Sequence, residues 1–157
     1  MNVSEISDTE PLLVGVSGGA DSLYCALYCA FGESLNFDQK PKRHVMIFNA
    51  VFEGRGKEAE EDIHFLQQFA DRFGFEFLSE RIPPDFEGLQ GNLEADLREE
   101  RYRMMRNLAK SRKIRIIALG HHQDDKSETL LLMLLRGSGP RGLAGMHPLT
   151  DIGEGLF

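Results

Sequence analysis

The segment Leu12-Leu13-Val14-Gly15-Val16-Ser17-Gly18-Gly19-Ala20-Asp21-Ser22 constrains the fold more than any other part of the chain. An apolar run stops at Ser-Gly-Gly-Ala-Asp-Ser, and a helix-compatible stretch, Leu23 to Phe31, begins at once. A strand, a glycine-rich turn and a helix in that order form a phosphate cradle. Two adjacent glycines can take positive φ without a Cβ penalty. Their N–H groups, with those of the first helical turn, can then converge on one anion. The helix dipole adds about 0.3–1 kcal/mol for a negative charge there. Ser17 and Ser22 would add hydroxyl donors.

The loop is neither of the two common nucleotide loops. A Walker loop needs a lysine after its last glycine, and Ala20 follows Gly19. A dinucleotide fingerprint needs GxGxxG, and Gly15, Gly18 and Gly19 have other spacing. The loop instead carries Asp21 where phosphate should sit. That is repulsive unless a divalent cation bridges the two, and Mg2+ is commonly held by one or two carboxylates plus phosphate oxygens. The plainer alternative is a Gly-Gly turn with Ser and Asp capping a helix.

The periodicity alternates between strand and helix. Strands are expected over 12–16, 44–51, 75–81 and 114–119, and helices over 22–31, 57–73, 93–111 and 124–136. Gly74 should close the second helix as a left-handed cap, and Asn92 should cap the third. Such alternation implies an α/β fold: a three-layer, Rossmann-like open sheet of mostly parallel strands with helices on both faces. Ligands of such sheets sit at the carboxyl ends of the strands, where strand order reverses. If strands one and four are neighbours, the loops that follow them face one crevice.

The length of 157 residues fits one domain over 1–157, with 1–10 an acidic, flexible tail. No apolar run approaches the roughly 20 residues of a membrane span, and the N-terminus has no basic-then-apolar targeting pattern. A cytoplasmic enzyme is the expectation. The net charge of −7 counts against a generally basic nucleic-acid binder, yet it is unevenly spread. Residues 53–62 are acidic, whereas 98–115 are rich in Arg and Lys. Local patches steer partners more than net charge does. Cys25 and Cys29 share one helix face and read as small apolar side chains, since nothing completes a zinc set.

A second constellation follows the fourth strand. Gly120-His121-His122-Gln123-Asp124-Asp125-Lys126-Ser127-Glu128-Thr129 packs two imidazoles and three carboxylates into a strand-to-helix turn. Such a cluster suits a metal, a general base or a cationic substrate such as an amine. Capping by Asp124 among solvated neighbours is the alternative.

Ser17-Gly18-Gly19-Ala20-Asp21-Ser22 resembles the SGGxDS pyrophosphate loop of the N-type ATP pyrophosphatases, which include GMP, NAD and asparagine synthetases and tRNA-modifying enzymes. The 120–129 segment, Leu135-Arg136-Gly137-x-Gly139, Gly142-Leu143-x-Gly145-Met146 and Glu94-Ala95 with Arg98, Arg101 and Tyr102 together resemble the tRNA(Ile)-lysidine synthetase family. The resemblance spans roughly residues 11–151. It implies an adenine nucleotide alpha hydrolase-like fold and a defined reaction. ATP adenylates C2 of the wobble cytidine of tRNA(Ile) with a CAU anticodon, releasing pyrophosphate. Free L-lysine then displaces AMP to give lysidine.

By the same resemblance Ser17, Gly18, Gly19, Ala20, Asp21 and Ser22 bind the nucleotide, and Asp21 positions Mg2+. His121, Asp125 and Glu128 hold the lysine ammonium or help deprotonate it. Arg98 and Arg101 contact phosphate or RNA, or balance nearby acids, with Arg101 counted among the catalytic residues. Arg136 and residues 137–145 line the crevice. No membrane partner is implied, and a homodimer is compatible with it.

Two departures stand out. Family members usually carry a histidine pair after strand two, followed by an arginine. Here Asn49 and Phe52 occupy the histidine positions, while Arg55 matches. The chain also ends at Phe157, before the family's fifth strand and later domains, which reads as a fragment. The rival readings are a tRNA thiolation enzyme of the same superfamily and a non-catalytic ATP-binding module.

Overall fold

A computed structural model of the chain describes residues 7, 9–33, 35–87 and 91–120. Among the described residues four strands and three helices alternate: β1 (Leu12–Gly15), α1 (Ala20–Phe31), β2 (Val45–Phe52), α2 (Lys57–Phe73), β3 (Glu76–Ile82), α3 (Leu93–Ser111) and β4 (Ile116–Leu119). The strands form one parallel sheet in the order β3-β2-β1-β4, as the alternation requires. Leu12 stands opposite Val45 and Ile116, and Gly15 opposite Phe48 and Leu119.

The strand order decides where the helices lie. From β1 to β3 the chain steps in one direction, and then it returns across the sheet to β4. Right-handed crossovers put the helices of the two directions on opposite faces. Accordingly α1 and α2 share one core with Val14, Val45, Ile47, Leu66 and Ala70. On the other face, Met105, Leu108 and Ala109 of α3 pack on Leu13, Met46 and Phe48. Each large apolar side chain buried this way contributes about 1.5–3 kcal/mol. The order reverses at β1, so the carboxyl ends of β1 and β4 flank the switch point.

The expected bounds of α2 and α3 hold, as do both caps. Gly74 is left-handed at φ 72°, ψ 33°, and the Asn92 side chain accepts the Ala95 N–H at 3.4 Å. β4 is shorter than expected. The Ile114 N–H is donated to the Ala109 carbonyl at 2.8 Å, so Ile114 belongs to the turn that closes α3 rather than to the ladder. A short 3-10 turn, Glu53–Arg55, which the periodicity does not announce, links β2 to α2. The expected helix over 124–136 lies outside the described residues.

Candidate nucleotide site

The cradle begins where β1 ends. Gly18 has φ +88°, a conformation that favours glycine. Gly19 is extended at φ −74°, ψ 154° and caps α1, so only one of the two glycines uses the left-handed freedom expected of both. The first intrahelical bond of α1 runs from the Leu23 N–H to the Gly19 carbonyl. The N–H groups of Ala20, Asp21 and Ser22 precede it and emerge from the positive end of the helix.

Two hydroxyls brace the loop from within. Ser22 Oγ donates to the Gly19 carbonyl at 2.8 Å and accepts the Ser17 N–H at 3.2 Å. Ser17 Oγ accepts the Gly19 N–H at 3.4 Å and lies 3.5 Å from Ser22 Oγ. Ser22 is buried, and its hydroxyl lies in donating reach of the Gly19 carbonyl. In this arrangement the Ser22 hydroxyl braces the cradle from within while lining the cavity beside it.

A cavity of about 540 Å³ opens beside the loop. Ser17, Ser22 and Asn49 line one side, and Arg98, Arg101 and Tyr102 of α3 line another. The end of β4 closes in on the cradle. A Cβ at Gly120 would stand 2.7 Å from both the Asp21 carbonyl oxygen and the Ser22 Cα. The carboxyl ends of β1 and β4 thus meet at the switch point.

The arginines of the cavity differ in what holds them. Arg55 donates to Asp62 at 2.7 Å and to Glu58 at 3.4 Å, and these carboxylates hold its guanidinium all the more firmly charged. The Arg98 guanidinium lies 5.5 Å from the Tyr102 ring centroid. Arg101 lines the cavity and has no hydrogen-bond or ion-pair partner among the described residues.

Asp21 is exposed in the first turn of α1. A cation shared between one carboxylate and phosphate oxygens fits that position. Among the described residues no three His, Cys, Asp or Glu side chains are grouped to hold a metal ion by themselves. His121, Asp125 and Glu128 lie outside the described residues, as do Arg136 and 137–145. The periodicity did not reveal the cation–π contact of Arg98 or the clamp of Asp62 on Arg55. Both depend on how helices meet in space. Asn49 did carry a signal: it is the one polar residue within the apolar strand Val45–Phe52.

Cys25 and Cys29 pack against the α1/α2 core. The Cys25 thiol hydrogen-bonds Cys29, which pushes Cys25 well up and draws Cys29 down, with Arg43 adding to the latter. No helix among the described residues is long and apolar enough to cross a membrane.

A parallel α/β sheet with a Ser-Gly-Gly cradle at its switch point defines a phosphate-binding domain, and the comparisons specify which. The PP-loop domain family matches residues 2–155, and the chain belongs to that family. It is 36% identical over 156 residues to the tRNA(Ile)-lysidine synthase of Salinispora arenicola, covering 99% of this chain and 44% of that protein. It is 33% identical over 148 residues to the enzyme of that name from Bacillus subtilis, covering 92% and 30% respectively. The chain therefore spans less than half the length of these relatives. The fold also matches the U34-tRNA thiolase NcsA from Methanococcus maripaludis. The TM-score is 0.70 at 17% identity, over 89% of this chain and 48% of that one.

Proposed function

We propose that the chain is the ATP-cleaving domain of an enzyme that joins lysine to C2 of the wobble cytidine of an isoleucine tRNA. One observation carries this reading. The end of β4 touches the cradle, with Gly120 against Asp21 and Ser22. His121, the first residue of the segment that carries Asp125 and Glu128, follows Gly120 directly in the sequence. The names of the relatives at 33–36% identity support the same chemistry.

In this reading the Ser17–Ser22 loop holds the β- and γ-phosphates of ATP. The cytidine O2 attacks the α-phosphorus, the bond to pyrophosphate breaks, and O2 becomes adenylated. Asp21 would hold a divalent cation, which would supply neutralising charge to the leaving pyrophosphate. Arg101 faces the same negative charge across the cavity. His121, Asp125 and Glu128 bind the lysine ammonium and take its proton, since an amine is a nucleophile only once deprotonated. The ε-nitrogen then bonds to C2 as the C2–O bond to AMP breaks.

The test is pyrophosphate release by the full chain with ATP, lysine and isoleucine tRNA, together with incorporation of labelled lysine into the RNA. Sustained release is expected only when all three substrates are present, whereas ATP and tRNA alone should give no more than about one pyrophosphate per enzyme, the adenylation step without the lysine step that follows it. Release independent of lysine and tRNA would sink the proposal, and ATP binding with no turnover in any mixture would favour a non-catalytic module. A thiolation reading draws no support from Cys25 and Cys29, which are half-buried on α1 and pack against the α1/α2 core.

A further inference from the structure

Asn49 makes a bond that the backbone would ordinarily make. The Val16 N–H is donated to the Phe48 carbonyl at 2.8 Å, the last rung of the β1–β2 ladder. One step further, a parallel ladder would bring the Ala50 N–H to the Val16 carbonyl. Instead the Asn49 side chain takes that carbonyl, with Nδ2 donating at 2.7 Å. The backbone is thereby released from the sheet one residue before the cradle.

The same bond fixes the cradle's first peptide. The Val16 carbonyl and the Ser17 N–H belong to one planar unit. Asn49 holds the carbonyl end, and Ser22 Oγ accepts the N–H end at 3.2 Å. Ser22 Oγ in turn donates to Gly19 at 2.8 Å. A continuous chain of bonds thus runs from β2 through the 16–17 peptide to the N-cap of α1.

Asn49 does this against its own hydrogen-bonding interest. Only 5% of it is exposed, and with Nδ2 on a carbonyl the amide cannot flip without setting oxygen against oxygen. Among the described residues its buried Oδ1 has no partner, nor has the Oγ of Ser79, which stands opposite it in the β2–β3 register. An unmet buried acceptor is costly and calls for an explanation. The bond to Val16 supplies one.

We propose that Asn49 is a positioning residue that orients the phosphate cradle through the Val16–Ser17 peptide. This rests on the nucleotide reading above, and the experiment separates the two. In the full chain, Asn49→Leu removes the orphan Oδ1 but leaves the Val16 carbonyl without its donor, so the two effects oppose each other and Tm should fall only modestly. Affinity for Mg-ATP by calorimetry should fall about tenfold or more, the scale of one lost buried hydrogen bond. Amide exchange at Ser17 and Gly19 should speed up. Ser79→Ala, which leaves Val16 untouched, should keep affinity within about twofold, on the scale of a change that removes no bond to the cradle.

Wild-type exchange provides a check that needs no variant. Ser17, although outside the strand, should be protected like β1. If it exchanges like an open loop, or if Asn49→Leu binds ATP as wild type does, the inference is overturned. If wild type shows no ATP binding while Asn49→Leu still loosens Ser17, the nucleotide reading fails and the clamp stands.

Discussion

Gly120, the residue after β4, and Ser22, in the first turn of α1, meet backbone to backbone. A Cβ on Gly120 would lie 2.7 Å from the Ser22 Cα and 2.7 Å from the Asp21 carbonyl oxygen. No rotamer relieves such a contact, because both atoms it meets belong to the main chain. Gly120→Ala must therefore move either β4 or the helix that carries the cradle. Overpacking of this kind costs about 1–3 kcal/mol, which in a chain of this size lowers Tm by roughly 2–10 °C. Nucleotide affinity should fall with it. Gly15→Ala is the control, since its Cβ would meet only side-chain tips, Leu119 Cδ2 and Met105 Sδ, at 2.8 Å. Thermal melts should rank Gly120→Ala as the more damaging of the two.

Asp21 and Gly18 separate chemistry from backbone. Asp21 is exposed, so Asp21→Ala should leave Tm within a degree or two of wild type, the usual result for a surface change. If its carboxylate neutralises the phosphate site through a cation, turnover should drop roughly 100-fold or more. Wild-type turnover in Asp21→Ala would remove Asp21 from the site. Gly18 at φ +88° has open space around its missing Cβ. Gly18→Ala should thus cost about 1–2 kcal/mol of backbone energy alone, read as a shift in urea midpoint with an unchanged slope.

Arg101 and Arg55 both face the cavity, yet they should respond differently to removal. Arg55 is clamped by Asp62 and Glu58, so Arg55→Ala leaves two carboxylates unpaired beside the site. Arg101 lines the cavity with no partner among the described residues. Arg101→Ala should leave Tm nearly unchanged and lower turnover by roughly 10²–10³-fold, the scale for losing a charge aimed at a transition state. A variant with normal turnover and weakened tRNA binding would reassign Arg101 to the RNA.

The fold was largely legible because its signals are local and agree with one another. Leu66, Phe69, Ala70 and Phe73 mark one stripe of α2, Gly74 ends it, and Asn92 opens α3. The phosphate loop was legible for the same reason, since strand, glycines and helix are contiguous. What could not be read is how atoms several residues apart divide the hydrogen bonds. Ser22 stood out because its hydroxyl sits in the motif, but its bond to the Gly19 carbonyl, which braces the loop, did not. Ile114 looked like strand because it is apolar, but Ala109 claims its N–H. Asn49 could be seen as the one polar residue of an apolar strand, standing where a histidine was expected, but its partner could not. Its bond to Val16 joins residues 33 positions apart.

Cys29 should be the more reactive of the two thiols. The Cys25 thiol donates to it and Arg43 adds positive charge, which together lower its pKa from the ordinary thiol value. Nucleophilicity follows the thiolate fraction, so iodoacetamide labelling with peptide mapping should modify Cys29 before Cys25. The rate should rise at lower pH than for a free thiol. Cys25→Ala removes the donor and should move that profile back up. An unchanged profile would mean that Cys25 does not donate to Cys29.

Acid stability should carry a contribution from Glu100 on α3. Arg103 donates to it through Nε at 2.7 Å and through Nη2, and this holds the Glu100 carboxyl below the ordinary carboxylate value. A carboxyl depressed in the folded state stabilises the fold at pH values above its unfolded pKa. That stability is lost as pH falls through the lower folded value. Arg103 is mostly exposed, so solvent screening limits the effect to about 0.3–0.5 kcal/mol, the range of a helical ion pair. Glu100→Gln should therefore be slightly less stable than wild type at pH 7, and the two should converge at about pH 3 and below. Urea titrations at pH 7, 5, 4 and 3 measure the gap, and a gap that does not close on acidification would assign the difference to packing instead of charge.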